Sequence, residues 1–189
     1  MKHFISFLFV TLLLILGCEQ VTEVNSPVKA PQERILNKQL INLPTPIGLG
    51  VEDLHTEYKD ITGSTGGWFS EEFTFEGGPN GNVYFQSTLH FYANSFSGTQ
   101  TISQTFNTET AAITFGPSMQ FNVPVDYTLT ITGLDLTGVN PNTLDFVYID
   151  ANGNMYAVQK EYVTLDLSTG MLKVKNAKLN HFSRYGFVN

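Results

Sequence analysis

The chain closes on LNHFSRYGFVN, Leu179 to Asn189, which sets an imidazole, His181, two residues before a hydroxyl, Ser183, with Phe182 between them. Histidine titrates near neutral pH and can take a proton from a neighbouring hydroxyl. The triplet is therefore either a plain strand end or a peptide bond set up to cut itself. Other chemistry-bearing residues form weaker patterns. Asp150, Asn152, Asn154 and Glu161 occupy positions one, three, five and twelve of a calcium loop. The sixth position, where the sharp turn wants glycine, is Met155, and Asn152-Gly153 is a hairpin turn in its own right, so calcium is not expected. His3, His55, His90 and His181 show no metal-ligand spacing, so no metal is expected and no cofactor is implied. Glu71 and Glu72 are adjacent and face opposite sides of a strand, which leaves no glycosidase pair to read from them. No G-x-S-x-G elbow or phosphate-cradling loop occurs. Activity on an external substrate is therefore not expected, and the one enzymatic step the triplet could carry is a single-turnover self-cleavage.

Cys18 is the only cysteine, so it has no partner within the chain for a disulfide. It follows Lys2, His3, an apolar run from Phe4 to Leu16, and Gly17. That run is too short for a final membrane span. The ending Leu14-Ile15-Leu16-Gly17-Cys18 resembles the bacterial lipoprotein box, which makes the thiol the site of diacylglycerol attachment and fatty acylation, palmitate included. The expectation is a signal peptide over 1–17 and a mature chain lipidated at Cys18. Its location would be the bacterial cell envelope, lipid-anchored at the outer membrane or cell surface. The net charge of -7 becomes one unit more acidic when Lys2 is removed, and the basic residues are scattered; both argue against nucleic acid as a partner.

Those groups need elements to position them. Residues 18–65 read as a tether: EQVTEVNSPVKAPQ and NLPTPIGLG are polar and proline-rich, which suits a spacer and not a sheet interior. Within it, ERILNKQLI spaces Ile35, Leu36, Leu40 and Ile41 as a flexible stretch with one sticky turn, a short helix being the alternative. From about Gly66 the period becomes two. In NVYFQSTLHFY, Val83, Phe85, Ser87, Leu89 and Phe91 share one face, and Tyr84, Gln86, Thr88, His90 and Tyr92 the other. In NVPVDYTLTIT, Val123, Val125, Tyr127, Leu129 and Ile131 alternate with a threonine-rich face. Turn signals at Gly77 to Gly81, Asn140-Pro141-Asn142, Asn152-Gly153 and Ser168-Thr169-Gly170 separate further strands. The expected fold is all-β, a single antiparallel β-sandwich over 66–189.

Tyr84, His90 and Tyr92 fall on the face opposite the expected core, where aromatic rings can stack on sugars. This gives a carbohydrate-binding sandwich as the rival to a protein-docking one. In the alternative arrangement both faces are covered, one by the second sheet and the other by the tether or a loop.

Two stretches together resemble the ZU-five domain, the β-sandwich of zonula-occludens proteins and Unc-five netrin receptors. ITFGPSMQFNVPVDYTLTI carries Gly116-Pro117, Phe121 and Pro124-Val125, similar to that domain's Gly-Pro-x-x-x-x-Phe-x-x-Pro-Val pattern with one residue fewer between Pro117 and Phe121. HFSRY is similar to the His-Phe-Ser-x-Tyr of the family's self-cleaving members. Upstream, Phe91 to Ser95 match the family's usual wording only loosely. The resemblance spans about Thr88 to Val188 and implies docking to a protein partner. It also implies cleavage between Phe182 and Ser183, with Ser183 as nucleophile on the Phe182 carbonyl and His181 as its base. The sequence-level conclusion is a lipid-anchored envelope protein that meets the bilayer through Cys18 and holds a binding or structural sandwich away from it.

Overall fold

The computed structural model describes residues 33–44, 54–79 and 81–189; Cys18, the expected signal peptide and much of the expected tether lie outside them. Among the described residues, twelve strands follow in order: β1 (Arg34–Ile35), β2 (Leu54–Thr62), β3 (Gly67–Gly78), β4 (Gly81–Phe91), β5 (Thr99–Asn107), β6 (Ala112–Gly116), β7 (Gln120–Thr132), β8 (Asp145–Ile149), β9 (Met155–Ala157), β10 (Tyr162–Asp166), β11 (Met171–His181) and β12 (Arg184–Val188). They form a seven-stranded sheet, β1-β9-β8-β12-β6-β5-β2, and a five-stranded sheet, β10-β11-β7-β4-β3, with every pairing antiparallel. The two sheets pack as the all-β sandwich expected from the alternation, and no helix occurs among the described residues.

The inner faces follow the period of two. Val83, Phe85, Leu89 and Phe91 of β4 and Val125, Tyr127, Leu129 and Ile131 of β7 are buried. They meet Ile102 and Phe106 of β5, Ile113 and Phe115 of β6, Phe146 of β8 and Tyr185 and Phe187 of β12. Removing this apolar area from water stabilises the pairing of the two sheets.

The sandwich begins upstream of Gly66, where the sequence placed its start. β2 pairs with β5 over its full length, from Leu54↔Asn107 to Thr62↔Thr99. Its side chains are mostly polar and exposed, with Ile61 the buried apolar anchor, so the strand carries almost no alternating signal. The segment before it is also part of the fold. The Ile41 N–H donates to the Phe187 carbonyl (3.0 Å), the Ala111 N–H to the Ile41 carbonyl (2.8 Å), and Gln39 and Asn189 exchange backbone bonds. This inserts residues 39–43 where β12 and the chain before β6 diverge. The helical spacing of ERILNKQLI is not used: Asn37 sits at φ 62, Ile41 enters the main core, and Ile35 and Leu40 pack on Val147, Ile149 and Val188 on the outer side of the seven-stranded sheet.

Candidate functional site

The outer face of the five-stranded sheet carries four of the five exposed aromatic side chains among the described residues, Tyr58 on β2 of the other sheet being the fifth. Register places Trp68 of β3 opposite His90 of β4, His90 opposite Asp126 of β7, and Asp126 opposite Lys178 of β11. Residues directly opposed on one face are close enough to interact, and these do so as a row. The Trp68 and His90 rings stack at 3.8 Å and 4°. Tyr92 leans on His90 (4.3 Å) and donates its hydroxyl to Asp126 Oδ2 (2.6 Å). Lys178 pairs with Asp126 and lies 5.7 Å from the centre of the Tyr92 ring. The Asp126 carboxylate is the main reason the Lys178 ammonium is pushed up and the Tyr92 hydroxyl is harder to ionise. Trp68 nevertheless remains 57% exposed, so the indole face not covered by His90 is open.

Three further rows run parallel to this one. Ser70, Thr88 and Thr128 form the next; Glu72, Gln86, Thr130 and Lys173 the third; Thr74, Tyr84 and Thr132 the fourth. The Gln86 amide donates to Glu72 Oε1 (2.6 Å), and Tyr84, 55% exposed, borders a depression of about 340 Å³. Tyr162 of β10 is exposed on the same face, opposite Lys175. Tyr84, His90 and Tyr92 thus share a face, as the alternation of β4 required. The sequence reading left out Trp68, Asp126 and Lys178. The Gly77 to Gly81 turn was the available signal, because a hairpin closing there sets Trp68 against His90.

The His-Phe-Ser triplet lies where the chain leaves the five-stranded sheet at the end of β11 and enters the seven-stranded sheet at β12. Phe182 is buried in the sandwich, stacked on Phe115 (5.3 Å) and edge-on to Phe121 (4.8 Å) and Phe91 (6.0 Å). The backbone is pinned on both sides: the Phe182 N–H donates to the Met119 carbonyl (2.9 Å) and the Phe115 N–H to the Ser183 carbonyl (2.9 Å). The Tyr185 hydroxyl donates to the His181 carbonyl (2.7 Å), and burial raises the pKa of that phenol. His181 packs edge-on to Tyr148 (4.5 Å). His181 and Ser183 are both half-buried at the corner.

A third polar group lies inside the sandwich. Glu71 turns into the core and Glu72 out of it, so the adjacent carboxylates do face opposite sides. Glu71 Oε1 is 3.0 Å from His55 Nε2, whose ring stacks on Phe73 (4.1 Å). Gln104 donates to Glu71 Oε2 and to Ser87 Oγ (2.5 Å). Burial pushes the Glu71 carboxyl up to about 7; the Gln104 hydrogen bond opposes this and the Glu57 charge adds to it. The Tyr127 hydroxyl is fully buried beside them, its pKa raised well above the usual range by burial and then by the Glu71 charge. Ser87 approaches that hydroxyl and opposes the shift without reaching hydrogen-bond geometry. The group ties edge strand β2 to β3, β4 and β5. Its sequence signal was a polar residue at a core position: Ser87 between Phe85 and Leu89, and Gln104 between Ile102 and Phe106.

The acidic loop at Asp150 has a local use. Its Oδ1 accepts from the backbone N–H groups of Asn152 (2.9 Å) and Asn154 (2.8 Å), and its Oδ2 from the Asn154 amide (2.9 Å) and the Tyr156 hydroxyl (3.1 Å), which closes the β8–β9 turn. These donors hold the Asp150 carboxyl below its ordinary pKa. Glu161 accepts from the Asn176 amide (2.8 Å) on the other sheet. Among the described residues no group of three or more His, Cys, Asp or Glu side chains is arranged to hold a metal. Compared with protein-family models, with curated proteins and with solved structures, the chain matches none.

Proposed function

We propose that the protein is a lipid-anchored binding module of the bacterial cell envelope, acylated at Cys18, whose working surface is the outer face of the five-stranded sheet. The observation that carries the reading is the gathering of exposed Trp68, Tyr84, Tyr92 and Tyr162 on that one face, where burial would be the ordinary fate of such rings. Leu14-Ile15-Leu16-Gly17-Cys18 supports the anchor. Fractionation tests it: the Cys18→Ala protein leaves the membrane pellet, and its persistence there would refute the anchor.

A second reading, self-cleavage between Phe182 and Ser183 in a ZU-five-like sandwich, has its own supporting observation. The two sequence stretches that suggested it touch in space, since Phe182 packs on Phe115 and Phe121 and bonds to Met119. A fixed ring on one side of the bond and a fixed carbonyl on the other restrict the backbone across which the Ser183 hydroxyl would have to reach the Phe182 carbonyl. Oxygen attack would convert the amide to an ester, the freed amine taking a proton, and water would then hydrolyse the ester. Intact mass under denaturing conditions decides it. Loss of the Ser183 to Asn189 peptide from the wild type, but not from Ser183→Ala, supports cleavage; full-length mass in both refutes it.

A further inference from the structure

We infer that the outer face of the five-stranded sheet binds an internal stretch of an extended, uncharged polysaccharide laid along β4. The inference rests on the reading that this face is the working surface, and it names the ligand class. Trp68 and Tyr84 stand in rows six residues apart along paired strands. At a strand rise of about 3.4 Å per residue this separates the two rings by roughly 20 Å, a span that several linked sugar rings cover and a single one does not. An aromatic ring presents an apolar face to the C–H face of a sugar, and each end of the surface has one.

Between the rings lie groups matched to sugar hydroxyls, which both donate and accept. Ser70, Thr88, Thr128 and Thr130 carry hydroxyls, and the Gln86–Glu72 pair offers an amide donor beside a carboxylate acceptor. Charge selects against a polyanion. Asp126 neutralises Lys178 in the Trp68 row, Glu72 stands in the middle of the surface, and Lys173 and Lys175 sit toward its β10 side. A chain of net charge -7 would repel a strongly anionic polymer, and the lysines of this face stand on β11, with β7 between them and β4. The depression beside Tyr84, bordered by Glu72, Thr74, Gln86, Thr130 and Thr132, falls within the size range of small-ligand sites and fits one ring of the chain.

Trp68 is the only tryptophan in the chain, so its emission reports contact directly. The test titrates the full chain with neutral oligosaccharides from dimer to hexamer (β-1,4-glucose, β-1,4-mannose, β-1,4-xylose and α-1,4-glucose series), read by Trp68 fluorescence and by calorimetry. The expected result is a change in Trp68 emission and affinity that rises with length. In calorimetry Tyr84→Ala and Trp68→Ala each weaken the longest ligand by about tenfold, while Tyr58→Ala, exposed on β2 of the other sheet, leaves it unchanged. Circular dichroism confirms that each variant is folded. Affinity independent of length overturns the extended-chain inference. No binding in any series overturns the sugar class; a photo-crosslinker at position 86 then separates the two readings, since capture of an envelope protein there keeps the face and excludes the glycan. Sugar binding that survives both Trp68→Ala and Tyr84→Ala overturns the face itself.

Discussion

Replacing Glu71 by glutamine removes a carboxyl that the fold holds in the wrong medium for its charge. Its pKa rises from 4.5 to about 7 on folding, so the native state keeps a proton that the unfolded chain has released over that window. Wild-type stability should therefore fall as pH rises from about 4.5 to 7. With 1.36 kcal/mol per pKa unit the whole loss is about 3 kcal/mol, close to half of it incurred by about pH 5.5. In the Glu71→Gln variant the new amide would still accept from Gln104 and keeps the size of the carboxyl it replaces, so the packing survives while the Glu71 titration disappears. Urea unfolding of both proteins by far-UV circular dichroism between pH 4 and 8 measures the difference. Groups common to both cancel, and the variant should gain on the wild type steadily with pH, from near equality at pH 4 to about 3 kcal/mol at pH 8. A pH-independent difference, or a variant that loses ground as pH rises, would refute the claim that Glu71 is held protonated by burial.

Removing the first 65 residues takes away β2, the backbone bonds of residues 39–43 and the cover over Val147, Ile149 and Val188; urea unfolding should lose its cooperative transition, and a retained sharp transition would show that these segments are dispensable. Phe182→Ala opens a cavity between Phe91, Phe115 and Phe121 and should cost about 3–5 kcal/mol by the same method, a value below about 1 kcal/mol meaning the corner collapses onto the space. Tyr185→Phe deletes the hydroxyl that holds the His181 carbonyl and should cost about 1 kcal/mol; if the self-cleavage reading is right, it should also slow release of the C-terminal peptide in denaturing mass spectrometry.

The alternation in β4 and β7 was legible because side-chain direction in a strand has a period of two and needs only neighbours in sequence. It put Val83, Phe85, Leu89 and Phe91 inside and Tyr84, His90 and Tyr92 on the other face, and the turn residues marked where strands end. The same local logic placed Glu71 and Glu72 on opposite sides. Other features depended on partners distant along the chain. β2 has too few apolar side chains to announce itself and is a strand because β5 supplies its backbone partners. Ile35, Leu40 and Ile41 have helical spacing, yet β9 pairs with Ile35 and the backbone beside β12 pairs with Leu40 and Ile41, all in extended form. Trp68 meets His90 through the β3–β4 hairpin, Lys178 meets Asp126 where β11 pairs with the distant β7, and His55 meets Glu71 where edge strands of the two sheets face each other. The sequence determined which way each β4 side chain points, because that is local geometry; the tertiary structure decided which groups become neighbours, because that depends on the pairing and packing of whole sheets.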